Sequence, residues 1–113
     1  MADMIPRFEA MLEAGQDSPM LRLSLANALV AAGRNADAVP HLERALEQDA
    51  GYSAAWKLLG RSLLEAGQPA RAVEVCERGA AVARDKGDLQ AAKEMEVFGR
   101  RARKQLVPPT GGQ

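Results

Sequence analysis

The chain has 113 residues, of which 47% are hydrophobic and only 4% aromatic, and its fifteen basic residues balance fifteen acidic ones. That length suits one domain with a modest core, and the composition points to alanine and leucine packed between closely spaced helices. No apolar run approaches the roughly 18 residues of a membrane span. Residues 1–7 show no basic segment leading into an apolar one, and a single cysteine, Cys76, leaves no internal disulfide, so the expected setting is the cytoplasm.

Taken in chain order, the spacing of apolar residues predicts six helices and a tail. The first covers about 5–14, with Ile5, Phe8, Met11 and Leu12 on one stripe and Pro6 in the first turn, where its missing N–H is no loss. Gly15 ends it. Asp17, Ser18 and Pro19 then supply a cap and an N1 proline for a second helix, about 19–32, whose inner side carries Leu21, Leu25, Ala28, Leu29 and Ala32. Gly33 stops that helix in the left-handed conformation a helix C-terminus favours. The third, about 36–48, turns Ala38, Val39, Leu42, Ala45 and Leu46 inward and holds Pro40 early enough to bend without breaking. Ser53 is the expected cap of the fourth, about 54–66, with Ala55, Trp56, Leu59, Leu63 and Ala66 toward the core and Gly67 at its end. Pro69 opens the fifth, about 69–84, which buries Ala72, Val73, Cys76 and Ala80. After a turn at Lys86 and Gly87, Asp88 caps a final helix to about residue 106. Residues 107–113, with two prolines followed by two glycines and no periodicity, are expected to be disordered.

The helices repeat. A shift of 34 residues places Leu25, Leu29, Ala32, Gly33, Ala36, Ala38, Val39, Glu43 and Arg44 on Leu59, Leu63, Ala66, Gly67, Ala70, Ala72, Val73, Glu77 and Arg78. A fixed period of that length marks stacked helix–turn–helix units, each burying its apolar face against neighbours. Residues 1–50 carry eight acids and four bases, a net −4, so residues 51–113 carry +4. In a stack, that asymmetry becomes an end-to-end dipole.

These residues resemble the tetratricopeptide repeat. The better copy reads Trp56, Leu59, Gly60, Leu63, Gly67 and Ala72, with Cys76 where the family usually has an aromatic and Gly79 where it has alanine. The weaker copy reads Arg22, Leu25, Ala26, Leu29, Gly33, Ala38, Leu42 and Ala45, and Phe8 sits at the aromatic site of a half copy before it. The resemblance implies an all-α, right-handed superhelical solenoid of antiparallel helix pairs. Its parts would be a half repeat at 4–16, repeats at 19–52 and 53–86 and a solvating cap at 88–106, all in one domain over 1–106.

It also implies a protein-interaction module that binds a peptide segment or partner subunit in a concave groove lined by the first helix of each repeat. The positions the core pattern leaves free there are Met20, Leu23, Ser24, Asn27 and Val30, then Ala54, Lys57, Leu58, Arg61 and Leu64. The expected contact set is Leu23, Asn27, Val30, Lys57, Arg61 and Leu64, which is apolar toward the first repeat and basic toward the second. Lys57 and Arg61, four residues apart, share a helical face and suit an acidic partner. With Asn27 they resemble part of the family's carboxylate clamp, although Leu23 and Ser24 replace its first lysine and second asparagine.

Other chemistry finds little support. A dyad would need His41 and Cys76, yet the register turns Cys76 to the core and His41 outward. No metal-ligand spacing, phosphate-cradling loop or nucleophile elbow occurs, so no catalysis, cofactor or metal is expected. Lys93, Arg100, Arg101, Arg103 and Lys104 cluster on the last helix without interleaved aromatics, which argues against nucleic acid. Cations there offset the helix dipole and keep the cap solvated. Two alternatives stand beside the groove: an acidic-partner adaptor acting through this basic helix, and structural self-association, head-to-tail or as a dimer.

Overall fold

The computed structural model describes residues 4–106, and the tail expected to be disordered lies outside them. The described residues form six helices and no strand: α1 (Met4–Glu13), α2 (Pro19–Ala31), α3 (Asn35–Gln48), α4 (Ser53–Glu65), α5 (Pro69–Asp85) and α6 (Leu89–Leu106). Each helix packs on the next in sequence, and α4 additionally touches both α2 and α6. The result is two layers: α2, α4 and α6 form one, while α1, α3 and α5 form the other. The thinnest dimension, 19 Å, is that of two helices side by side.

Local chemistry sets the turns. After α1, α2, α4 and α5 a glycine takes positive φ: Gly15 at 87°, Gly33 at 77°, Gly67 at 77° and Gly87 at 81°. In each case the following residue donates its N–H to the carbonyl five positions back, as from Arg34 to Leu29 (2.8 Å) and from Gln68 to Leu63 (2.9 Å). Ser18 caps α2 by accepting from the Leu21 N–H at 3.1 Å, and Asp88 accepts from the Ala91 N–H at 3.2 Å. Pro40 lies within α3, which continues through it.

Ser53 differs from expectation. Helix α4 begins one residue earlier, its first turn closing on the Tyr52 carbonyl, so Ser53 is already helical and Tyr52 holds the cap position. The Ser53 hydroxyl is buried and has no hydrogen-bond partner among the described residues.

The core is a run of small and branched residues, with Leu25, Leu29, Leu42, Leu63 and Met95 fully enclosed. Gly79 explains itself there. A Cβ on it would lie 2.6 Å from Met95 Sδ and 2.8 Å from Trp56 Cβ, so only glycine lets α5 approach α4 and α6 together. Methionine can yield, but a Cβ fixed to the α4 backbone cannot. Gly79→Ala should therefore lower stability by about 1–2 kcal/mol, because overpacking of roughly 1–3 kcal/mol outweighs the improved helix propensity. Urea unfolding checks this; equal or higher stability would show that α4 and α5 can move apart freely.

Candidate functional site

Leu23 and Asn27 on α2 and Lys57 and Arg61 on α4 line a single concavity of about 270 Å³, with Ala54 and Leu58. They meet because the residues lie four apart on each helix and the helices are neighbours in the same layer. The other two expected contacts fall elsewhere. Leu64 is 5% exposed and belongs to the core, because α6 packs on α4; Val30 is half-buried against that core. Leu58, also read as free, forms part of the floor and is 9% exposed.

The far wall comes from α6. Glu94 and Phe98 face the same space, and Glu94 Oε1 lies 3.4 Å from Lys57 Nζ. Phe98 is half-buried against the core, and Arg101 sits over its ring at 5.7 Å. Among the described residues Arg61 has no carboxylate within ion-pair distance, so it is the uncommitted cation of the groove. Sequence reasoning missed the α6 wall. The inner-layer helices start at Pro19, Ser53 and Leu89, 34 and then 36 residues apart, and the last step breaks the register. The usable signal was the spacing of Ala92, Met95, Gly99 and Ala102, all buried, behind the Asp88 cap.

The remaining basic residues of α6 are partly engaged. Arg103 pairs with Glu77, and Glu96 with Arg84, which ties α6 to α5, while Lys93, Arg100 and Lys104 are exposed.

The two candidate nucleophilic partners are both occupied by packing. Burial, helped by the nearby Glu77 charge, pushes the Cys76 thiol up to about 11, the opposite of an activated nucleophile. His41 is half-buried and not outward-facing as expected: its Nδ1 lies 3.0 Å from Arg22 Nη1, which can only donate, so Nδ1 accepts and the ring is neutral. Arg22 also grips Asp17 through two 2.8 Å bonds, which hold that carboxyl well below the usual carboxylate range. Burial, then the Arg22 charge, lowers the His41 pKa. The unfolded chain therefore takes up a proton first, near the ordinary value of 6.5. Stability should be full above that pH and fall as pH drops below it toward the lowered folded pKa. His41→Gln should flatten this segment of the curve, as read from urea midpoints across the pH series; an unchanged slope would remove His41 as its source.

Comparison with known proteins places the scaffold. A family model described as tetratricopeptide repeat matches residues 29–95, and a TPR repeat-containing protein of Pseudomonas aeruginosa is 46% identical over 95 residues, covering 84% of this chain and 90% of the relative. The chain belongs to the tetratricopeptide-repeat family. A solution structure of a Bordetella parapertussis protein superposes with a TM-score of 0.76 at 40% identity, covering 89% of this chain and 88% of that one. A tetratricopeptide repeat domain protein of Salinibacter ruber shares the fold at 22% identity, with a TM-score of 0.68 and coverage of 76% and 97% in its crystal form. Tetratricopeptide repeats are protein–protein interaction modules, and this chain is a small member of the family. Among its described residues no helix is long and apolar enough to cross a membrane.

Proposed function

We propose that the concavity between α2, α4 and α6 binds an extended segment of a partner protein, with an acidic group on Arg61 and Lys57 and an apolar side chain on Leu23, Leu58 and Phe98. The observation that carries this reading is the convergence of Leu23, Asn27, Lys57 and Arg61, from two repeats, on one depression. At about 270 Å³ it falls below the roughly 300–1,000 Å³ of small-molecule sites and suits one or two side chains of a longer ligand. Charge-assisted bonds from a guanidinium and an ammonium recognise carboxylates well, and Asn27 adds an amide donor beside them. The protein on this reading is a non-catalytic binder, and its single buried thiol suits a reducing, cytoplasmic setting.

Titration with two short peptides, one carrying leucine beside aspartate or glutamate and one with the acids replaced by amides, tests it. The acidic peptide should bind more tightly, and Lys57→Ala/Arg61→Ala should abolish the difference. Equal binding of both peptides by the parent protein would overturn the assignment.

A further inference from the structure

Among the described residues, the first and last helices of the stack each leave a face open, and the two faces are complementary. At the 34-residue shift, Met4, Phe8 and Met11 of α1 correspond to Ala38, Leu42 and Ala45 of α3, each of which is 0% exposed. In α1 the same three positions are only half-buried, and among the described helices α1 packs on α2 alone. The second repeat shows what covers these positions. Cys76, at the place of Phe8, presses on Gly60, where a Cβ would lie 2.6 Å from its Sγ; Gly79, at the place of Met11, touches Trp56 of the preceding helix and Met95 of the following one. The open half of α1 therefore has the form that receives an inner-layer helix in front of it.

At the other end α6 is an inner-layer helix with no outer-layer helix after it among the described residues. A depression of about 420 Å³ runs between α5 and α6 over Ala80 and Met95. These stand where Leu46 and Leu59 stand one repeat earlier, and there α5 lies alongside, with Val75 and Arg78 bordering the same space. Arg84, Arg100 and Arg103 rim the depression together with Glu77 and Glu96, which pair with Arg103 and Arg84 and leave Arg100 as the rim's further cation.

We propose that these ends bind each other between copies: α1 of one copy takes the outer-helix place beside α6 of the next. Each vacancy is filled by the kind of helix the repeat lacks there. α1 carries Glu9 and Glu13 against Arg7, and the depression carries Arg84, Arg100 and Arg103 against Glu77 and Glu96. Arg100 is the cation that has no carboxylate partner among the described residues, so the joint brings surfaces of opposite net sign together. Its polar rim makes it reversible and salt-sensitive. Because it is heterologous and does not close on itself, it extends linearly. This inference is independent of the groove reading.

Sedimentation of the full 113-residue chain at low ionic strength should show mass rising with concentration, and added salt should reverse it. Met11→Glu blocks one end and Arg100→Glu the other, both on side chains outside the enclosed core, with helix content confirmed by circular dichroism. Each variant alone should remain monomeric, and their mixture should stop at a dimer, because each retains one working end. A monomer at every concentration overturns the proposal. So does association that survives Arg100→Glu alone, which would be a symmetric contact of α1 with α1.

Discussion

Trp56→Ala is expected to cost about 3–5 kcal/mol, a large share of the roughly 5–15 kcal/mol that holds a domain of this kind. The indole is 7% exposed, its Nε1–H donates to the Ala50 carbonyl at 2.8 Å, and its Cβ is the surface against which Gly79 fits. Arg78 covers the ring at 5.4 Å. Truncation removes the buried ring, leaves a cavity between α4 and α5, and frees the carbonyl that anchors the turn before α4. Trp56→Phe separates these effects: it keeps most of the packing and should lose only about 1 kcal/mol, for the hydrogen bond. Far-ultraviolet circular dichroism in urea is the suitable probe, since the variants lack the chain's one tryptophan. A loss below that of Trp56→Phe would mean that the helix pair holds without its aromatic.

The first repeat solves the same position differently. Arg22 stands 34 residues before Trp56, and it fills the place with ion pairing to Asp17 and a bond to His41. This explains why the weaker copy remained readable as a repeat although its aromatic is gone: Leu25, Ala26, Leu29 and Gly33 keep the packing and the turn. Glycines with positive φ and capping residues were legible because each answers a local requirement. Ser53 misled because a serine before a helix can cap or simply begin it, and the choice was settled by Tyr52, whose backbone closes the first turn.

The groove was half legible for a related reason. Leu23, Asn27, Lys57 and Arg61 could be placed from helical spacing within the two in-register repeats. Leu64 and Leu58 could not be sorted, since their burial depends on α6, and α5 at 17 residues is longer than α3 at 14 and shifts α6 out of the period. Once that step is taken as 36 residues, Ala92, Met95 and Gly99 fall on Trp56, Leu59 and Leu63, and α6 becomes a third inner helix and not merely a solvating cap. Glu94 and Phe98 then face the groove.

Glu94 gives the groove its own carboxylate, and Glu94→Gln should tighten acidic-peptide binding by about five- to tenfold, close to 1–1.4 kcal/mol. Lys57 Nζ sits 3.4 Å from Glu94 Oε1, so an incoming carboxylate must share or displace that partner. Both side chains are more than a third exposed, at 38% and 43%, and an exposed pair contributes at most about 1 kcal/mol to stability, so the substitution should leave folding almost unchanged. Removing the acid raises the charge presented by Lys57, Arg61 and Glu94 from +1 to +2, which steepens the salt dependence of binding as well as strengthening it. The amide-substituted peptide is the control, for it gains nothing from a freed ammonium. Calorimetric titration of both peptides at two ionic strengths separates the cases. A gain confined to the acidic peptide and lost at high salt identifies Lys57 as a contact, whereas unchanged affinity for both would place the ligand away from Lys57 and leave Glu94 a strut between α4 and α6.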